Sequence, residues 1–358
     1  MNIDGHKLHY HPQRVSEWLT DELKTYPLYL EISPSNACNH SCIFCALDFC
    51  RNDKKNFLDT ERALTLLDEL SECGIKSILY AGAGEPFIHR DITKIINYTA
   101  KKNIDVAVNT NMALFTPEKI KECLHSLTWM RVSIDAGTSE TYGSIHISQK
   151  NDFYDVIKNI EFAVKQKKDK RLKVTIGSQF LLLDKNKDEV VKTSKLLKKL
   201  GVDYFSIKPF NMHKSSLQNC STSEITPELI EELDSQLSVL NSNSFKVVFR
   251  KDTFYNLFFS KRKYHKCYGL SFISFLREDG EIYPCLSVFG NKIYSYGNVY
   301  SNSFKEIWNG KTRKNVIELI NNDFELMNKN NCRPTCRLDN INKYLWQLKN
   351  PDSHQNFI

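Results

Sequence analysis

Over its first two thirds, the chain alternates short apolar runs with longer segments whose apolar residues recur at helical spacing. The short runs predict strands, at Leu28–Ile32, Ser77–Ala81, Asp105–Thr110, Met130–Asp135, Lys173–Leu182 and Tyr204–Lys208. The segments between them predict helices, at Asp59–Cys73, Asp91–Lys102, Pro117–Leu127, Tyr154–Lys167 and Glu189–Leu200. Six strands that alternate with helices predict an α/β fold, with a parallel sheet that is open or curled into a barrel.

The rhythm changes after Phe210. Residues 213–223 are polar and predict a loop, Pro227–Leu240 predicts a helix, and the remaining elements are short and separated by Gly, Asn and Ser turns. We therefore expect a boundary between a larger and a smaller, loop-rich unit. The predicted division is an N-terminal lead over residues 1–25, a first unit over 26–220 and a cysteine-rich unit over 245–358. A metal cluster would contribute much of the order of so small a unit.

Composition narrows the class of protein. The chain has 358 residues, 41% of them hydrophobic, and a net charge of +7. It has enough apolar residues for a sizeable core, and no apolar run approaches the roughly 20 residues of a membrane span. The polar N-terminus lacks the apolar stretch of a signal peptide, so we expect a cytoplasmic protein. A charge of +7 spread over this length is a weak electrostatic footprint, so a nucleic-acid partner is not expected.

Cysteine usage gives the first chemical signal. The count of eleven is odd, and in a chain without secretory features clustered cysteines indicate metal binding or catalysis. Cys38, Cys42 and Cys45 follow the first predicted strand, where parallel α/β folds carry their chemistry. Three thiolates can hold a cubic 4Fe–4S cluster and leave one iron open. The alternative is zinc with His40 as a fourth ligand, although zinc sites usually pair their ligands at short spacings.

A second group lies in the C-terminal third, at Cys267, Cys285, Cys332 and Cys336. Four thiolates would complete a 4Fe–4S cluster, which then transfers electrons without binding substrate. Taken alone, the same four residues also suit a structural zinc ion.

The first cysteine group resembles that of the radical S-adenosylmethionine (SAM) superfamily, which has an aromatic residue, here Phe44, before the last cysteine. The resemblance extends to Ala83-Gly84-Glu85-Pro86, which matches the family's GGEP motif except for Ala83. Over residues 26–210 it implies a partial (β/α)6 TIM-like barrel. It further implies a 4Fe–4S cluster on the three cysteines, with SAM bound beside it.

The same resemblance implies contacts with SAM. The backbone of Gly84, Glu85 and Pro86 would contact the methionine amino group, and Phe44 would lie against the adenine. Polar residues at the ends of the third and fourth strands, and one on the fifth strand, would contact the ribose, the carboxylate or the adenine. These residues are Asn109, Ser133, Asp135 and Gln179.

The C-terminal cysteines resemble the SPASM extension of radical SAM enzymes, or its shorter relative called twitch. The shared features are the G-x4-C run that ends at Cys285, the Gly-Asn turn at 297–298 and the motif at 304–308. A full SPASM region carries about seven cysteines and two auxiliary clusters. The four cysteines here therefore imply one auxiliary 4Fe–4S cluster.

The whole arrangement resembles 2-deoxy-scyllo-inosamine dehydrogenase-like enzymes. That resemblance implies hydrogen abstraction from a carbohydrate-like small molecule and oxidation of an alcohol. The auxiliary cluster would accept an electron, and a flavodoxin- or ferredoxin-type protein would donate the first one. The alternatives are a sugar epimerase, a peptide- or protein-modifying maturase, an RNA-modifying enzyme, or a zinc-stabilised binding protein. Only 37 residues precede Cys38, which disfavours a peptide-leader-binding domain.

Two residues are candidates for catalysis. Lys208 ends the sixth predicted strand and would point into the barrel mouth, where a desolvated lysine contacts substrate or accepts a proton. A lysine paired with a neighbouring carboxylate is an equal alternative. Cys220 is the one cysteine without an assigned role in the loop after that strand. An epimerase would use its thiol as a hydrogen donor, although a lone loop cysteine is more often incidental.

Overall fold

The computed structural model describes residues 6–51, 54–149, 151–218, 220–259, 262–354 and 356. Within these residues, ten strands form one sheet. Their bounds are β1 Tyr29–Ile32, β2 Ser77–Tyr80, β3 Asp105–Thr110, β4 Trp129–Ser133, β5 Thr175–Leu182, β6 Tyr204–Pro209, β7 Lys246–Phe249, β8 Ile273–Leu276, β9 Glu281–Tyr283 and β10 Gly297–Asn298.

Most connections between the parallel strands contain α-helices. The helices are α1 Pro12–Thr20, α2 Thr60–Glu72, α3 Ile92–Lys101, α4 Pro117–Cys123, α5 Ser139–His146, α6 Asp152–Asp169, α7 Val190–Leu200, α8 Pro227–Ser238, α9 Lys251–Phe259, α10 Phe304–Asn309, α11 Lys311–Asn322, α12 Phe324–Asn330 and α13 Asp339–Lys349. Local sequence sets several ends: the Asp59 carboxylate caps α2 by accepting from the Arg62 amide at 2.8 Å. Gly201, at φ +84°, ends α7 in the left-handed conformation.

The first six strands lie side by side in chain order and are all parallel. This α/β arrangement confirms the predicted fold class. Beyond it, β7 pairs in parallel with β6, and β8 pairs in parallel with β1. The antiparallel strands β9 and β10 then extend the sheet from β8. Strands from the C-terminal third therefore extend the sheet of the first unit.

The two faces of the sheet differ in chemistry. Side chains such as Leu30, Val132 and Ile207 belong to the main apolar core, which includes residues of the covering helices. Alternation along each strand puts the intervening residues on the other face, here called the inner face. Glu31 of β1 and Lys208 of β6 both lie on it, and the Arg337 guanidinium donates to Glu31 at 2.6 Å and lowers the pKa of Lys208. The Arg337 guanidinium thus acts on residues of both β1 and β6, which have four strands between them. The sheet therefore curls around its inner face.

Two regions are more ordered than the sequence predicts. The C-terminal unit, expected to be loop-rich, contains α10 to α13. The polar N-terminal lead contains α1, whose Trp18 is fully buried with Leu28, Phe272 and Leu345. Both differences have the same cause, because short amphipathic helices are stabilised by tertiary packing more than by their own propensity.

Candidate active site

The first cysteine group lies in the loop that follows β1. This loop is fixed to the end of α5, because the Ser41 amide donates to the His146 carbonyl at 3.0 Å and the Ile43 amide donates to the Ile145 carbonyl at 2.9 Å. Cys38, Cys42 and Cys45 are partly exposed free thiols. Burial raises the pKa of Cys42, and the two neighbouring thiols raise it further. The structure therefore brings the three predicted cluster ligands together.

Gly84 packs directly beneath the cysteine loop. A Cβ atom at this position would lie 2.1 Å from the Ala37 carbonyl oxygen and 2.5 Å from the Ser35 carbonyl oxygen. The Glu85 amide also donates to the Ala37 carbonyl at 2.8 Å. A glycine is needed here because two backbone segments approach each other too closely for a side chain.

The Glu85 side chain connects this motif to the end of β3. Its buried carboxylate accepts from the Thr110 hydroxyl at 2.6 Å, the Asn111 amide at 2.8 Å and the Phe87 amide at 3.1 Å. Burial raises its pKa, whereas these hydrogen bonds lower it. Pro86 begins the short 3-10 helix Pro86–Ile88. The Glu85 carboxylate therefore holds the motif in place. The backbone of the motif remains the predicted contact with SAM.

The predicted polar strand residues take different positions. Asn109 accepts from the Arg131 guanidinium at 3.1 Å, and Ser133 is the last residue of β4. Ser133 and Gln179 are register partners on adjacent strands. The Gln179 side-chain oxygen is buried and has no hydrogen-bond partner among the described residues. An unsatisfied buried oxygen within a strand is expected where a ligand hydroxyl or amine would bind.

The Asp135 carboxylate contacts other protein groups. One carboxylate oxygen accepts from the Leu181 amide at 2.5 Å, and the other lies 3.5 Å from His146 Nε2. Burial raises the pKa of Asp135 to about 7, and its φ of +45° is unusual for a residue with a side chain. Its predicted contact with SAM stays a prediction.

His146 ends α5 and contacts the cysteine loop. Its Nδ1 atom is 3.2 Å from Cys42 Sγ, its Nε2 atom is 3.2 Å from the Ile134 carbonyl oxygen, and its ring stacks on Tyr142. Burial lowers the pKa of His146 to about 3 in the metal-free chain. Sequence reasoning missed this residue, because nothing in the pattern connects the end of α5 with Cys42.

His40 adds a second imidazole at the same place. Candidate ligand atoms of His40, Cys42 and His146 lie within 4.8 Å of one another. His40 Nε2 also lies 3.0 Å from the Asp152 carboxylate. Geometry alone therefore leaves a mononuclear zinc site open, as the sequence did.

An apolar cluster lies beside the cysteine loop. Phe44 is buried in it with Ile145, Leu183 and Phe210, and its ring meets that of His146 edge-on at 5.3 Å. Cys220 is partly buried against the same cluster. The structure thus brings Cys220 near the predicted adenine contact, and burial raises the pKa of its thiol.

Lys208 lies on the inner face, as its place in β6 predicts. Burial lowers its pKa well below the usual value, and three guanidinium groups lower it further. They belong to Arg131, Arg250 and Arg337. These arginines were missed in the sequence, because Arg131 gives no sign of which face of its short strand it occupies, and Arg250 and Arg337 lie outside the strands.

The second cysteine group forms a separate site. Burial raises the pKa of Cys267 well above its usual value, and the other three thiols of the group raise it further. The Asn342 amide nitrogen donates to Cys267 Sγ at 3.4 Å. The Arg262 side chain lowers the pKa of Cys332, and the Cys285 thiol raises the pKa of Arg333. Positive charge around four clustered thiols suits a metal centre that carries negative charge.

The donor sets fit the implied groups. Three partly exposed thiols on one loop suit an iron–sulfur cluster with an open iron for a small ligand, to which the unsatisfied Gln179 oxygen offers an acceptor, and four thiols whose charges act on one another suit a closed cluster. The ligand assignments of the seven cysteines follow from this fit and remain our proposal.

Family models match both parts of the chain. Residues 32–197 match the model of the radical SAM superfamily. Residues 267–337 match the model of SPASM, an iron–sulfur cluster-binding domain. The second match begins at Cys267 and ends one residue after Cys336. These matches favour iron–sulfur clusters over zinc at both sites.

Two curated relatives are similar to this chain over different shares of its length. A tungsten-containing aldehyde ferredoxin oxidoreductase cofactor-modifying protein of Pyrococcus furiosus is 22% identical over 78% of this chain and 80% of its own. A GTP 3′,8-cyclase of Campylobacter lari is 30% identical over 38% of this chain and 42% of its own. The chain therefore spans less than half of that cyclase.

Among solved structures, SuiB of Streptococcus suis bound to SAM is similar over 96% of this chain and 79% of its own, with a TM-score of 0.69 and 15% identity. SuiB has also been solved with its precursor peptide SuiA. At this identity the likeness shows the fold. The radical SAM and SPASM matches imply the cofactors, which are a 4Fe–4S cluster, SAM and auxiliary iron–sulfur chemistry. In the described part of the chain, no helix is both long and apolar enough to cross a membrane.

Proposed function

Since the chain is a radical SAM enzyme with a SPASM domain, we propose that it oxidises a polar, carbohydrate-like substrate by two electrons. Cys38, Cys42 and Cys45 would hold the first cluster, and with SAM bound there the family's chemistry supplies a 5′-deoxyadenosyl radical. The substrate would lie against the inner face and lose a hydrogen atom there. An alcohol carbon that then loses a proton and an electron becomes a ketone.

The observation that carries this proposal is the link between the second cysteine group and the inner face. Arg337 directly follows Cys336, and its guanidinium donates to the Glu31 carboxylate at 2.6 Å and to the Tyr29 hydroxyl at 2.8 Å. A cluster held by Cys336 would lie beside the substrate space and supply an acceptor for the second electron. One auxiliary cluster, held by the four cysteines, is part of the proposal.

The lining of the inner face supports a polar substrate. Asn109, Ser133 and Lys208 are only partly buried and offer amide, hydroxyl and ammonium groups. Groups of this kind bind and orient hydroxyl-bearing molecules through hydrogen bonds. In this proposal Lys208 contacts the substrate as an ammonium group, and the proton that the substrate loses passes to solvent. A flavodoxin- or ferredoxin-type donor would reduce the first cluster.

The main alternatives are a sugar epimerase and a maturase. Cys220 lies against the apolar cluster beside Phe44, where a thiol hydrogen donor would be useful to an epimerase. The name of the Pyrococcus furiosus relative describes a protein that modifies an enzyme's cofactor, which favours a maturase. Each alternative predicts a different source or fate of the abstracted hydrogen.

The test uses carbon-bound deuterium. The anaerobically reconstituted enzyme, with SAM and dithionite, is given a panel of deuterated sugars and aminocyclitols in parallel with peptides deuterated at Cα. We expect deuterium in 5′-deoxyadenosine and a ketone product from a panel alcohol. The Cys336→Ala protein should transfer deuterium but release little ketone. Transfer from the peptides alone would refute the proposal in favour of a maturase.

A further inference from the structure

The inner face carries a concentration of positive charge. Arg131 of β4 and Lys208 of β6 alternate with Val132 and Ile207, which lie in the main core. Arg131 is fixed from two sides, because its Nε donates to the Asn109 side-chain oxygen at 3.1 Å and its guanidinium lies 5.4 Å from the centre of the Trp129 ring. Its position is therefore set before any ligand binds.

The nearby carboxylates have other partners, except for one buried oxygen of Asp135 that accepts no hydrogen bond; the charge of Asp135 raises the pKa of Lys208. Glu31 is paired with Arg337 at 2.6 Å. Asp135 accepts from the Leu181 amide and points its other oxygen toward His146. Within the part of the chain that the structure describes, no carboxylate lies within ion-pair distance of Arg131 or Lys208.

Both cations remain partly accessible. Burial lowers the pKa of each, and neighbouring guanidinium groups lower it further. Both lie on the inner face, on strands separated by β5, and two cations without an ion-paired carboxylate are costly there unless an anion joins them. Arg131 also lies two residues deeper in β4 than Ser133, the predicted contact with SAM, which places it away from the cysteine loop.

We propose that Arg131 and Lys208 bind an anionic group of the substrate, a phosphate or a carboxylate, on the inner face. This inference rests on the proposed function and narrows it, because the carbohydrate-like substrate would then be a sugar phosphate or a sugar acid. The planar guanidinium would accept the group in a bidentate fashion, and the ammonium would add a second charge.

The test is binding of inorganic phosphate to the reconstituted, SAM-loaded enzyme. Labelled phosphate is measured by anaerobic equilibrium dialysis, with acetate as the competing carboxylate. Lys208→Met and Arg131→Met are compared with Lys195→Met, which removes the same charge from an exposed position on α7. Iron content and circular dichroism confirm that each variant is folded and loaded.

We expect one saturable phosphate site in the wild type and in Lys195→Met. Each inner-face variant should bind phosphate at least about tenfold more weakly, since each loses a charge-assisted hydrogen bond. If acetate displaces the labelled phosphate at a lower concentration than unlabelled phosphate does, the substrate carries a carboxylate.

Three results would overturn the inference. The first is that the wild type binds neither phosphate nor acetate saturably. The second is that Lys195→Met loses as much affinity for phosphate as the inner-face variants do. The third is loss of SAM binding by Lys208→Met and Arg131→Met, which would assign these cations to the carboxylate of SAM. Dithionite-driven formation of 5′-deoxyadenosine is measured in the same samples. If the wild type cleaves SAM but binds no anion, the anion site fails while the radical chemistry stands.

Discussion

Replacing Gly84 with alanine tests whether the cysteine loop is held by close backbone packing. The added Cβ atom would lie 2.1 Å from the Ala37 carbonyl oxygen, more than 1 Å short of an ordinary contact of 3.4–4 Å. The neighbouring atoms are backbone, so relief requires the whole loop to move. Overpacking of this kind costs about 1–3 kcal/mol. Loss of the hydrogen bond from the Glu85 amide to Ala37 adds about 1 kcal/mol.

We therefore expect Gly84→Ala to lower the free energy of unfolding of the apo protein by about 2–4 kcal/mol. The displaced loop should also fail to hold its cluster, so iron per reconstituted chain should fall from about eight to about four. Urea unfolding followed by circular dichroism and an iron assay measure the two effects. Gly143→Ala is the matched control, because a Cβ atom there meets nothing within 4 Å. It should stabilise α5 slightly, by about 0.5–1 kcal/mol.

The reasoning would be refuted by a Gly84→Ala protein that retains the iron content and stability of the wild type. A loss of stability with full iron content would be informative in another way. It would show that strain at this position is absorbed without moving the three cysteines.

Four further predictions concern the clusters and the reaction. Replacing Cys38, Cys42 and Cys45 together with alanine should leave about four irons per chain, as measured by an iron assay. The same variant should not cleave SAM, as measured by chromatography of 5′-deoxyadenosine. Cys336→Ala should loosen the C-terminal unit, because cluster binding and folding are coupled, so proteolysis should begin there while SAM cleavage partly survives. His146 Nε2–H donates to the Ile134 carbonyl oxygen, so Nδ1 of the neutral ring is an acceptor that faces the Cys42 sulfur; His146→Phe removes this lone pair from beside the sulfur and should raise the reduction potential of the first cluster in a redox titration followed by electron paramagnetic resonance, and an unchanged potential would contradict that contact in the loaded enzyme. Cys220→Ala should stay active in heavy water without solvent deuterium in the product carbon, whereas lost turnover together with deuterium incorporation by the wild type would establish an epimerase.

The alternation of strands and helices could be predicted because each element repeats its own pattern locally. β3 has the predicted bounds, and most other strands differ by one or two residues. Asp59 and Gly201 predicted helix ends for the same reason, since capping depends on a few neighbouring residues. The cysteine groups were equally readable, because three or four thiols at short spacing have few other uses.

The pairing of β8 with β1 could not be predicted. The two strands are separated by more than 200 residues, and a run such as Ile273–Leu276 carries no sign of its partner. α5 was missed because Ser139–His146 combines polar residues with a glycine and has few apolar positions. The contact of His146 with Cys42 joins the end of α5 to the loop after β1, so it was also out of reach.

The β8–β1 pairing explains why the C-terminal cysteines lie near the inner face. β8 runs parallel to β1 in register from Tyr29 opposite Ile273 to Ile32 opposite Leu276, so it continues the curled sheet past its first strand. Phe275 of β8 then lies 5.9 Å from the Arg337 guanidinium, which also pairs with Glu31. The residue that follows Cys336 is thereby held by both strands. Replacing Arg337 would leave Glu31 buried without its cation, which is costly. The ion pair that positions the second cysteine group therefore also neutralises the Glu31 carboxylate on the inner face.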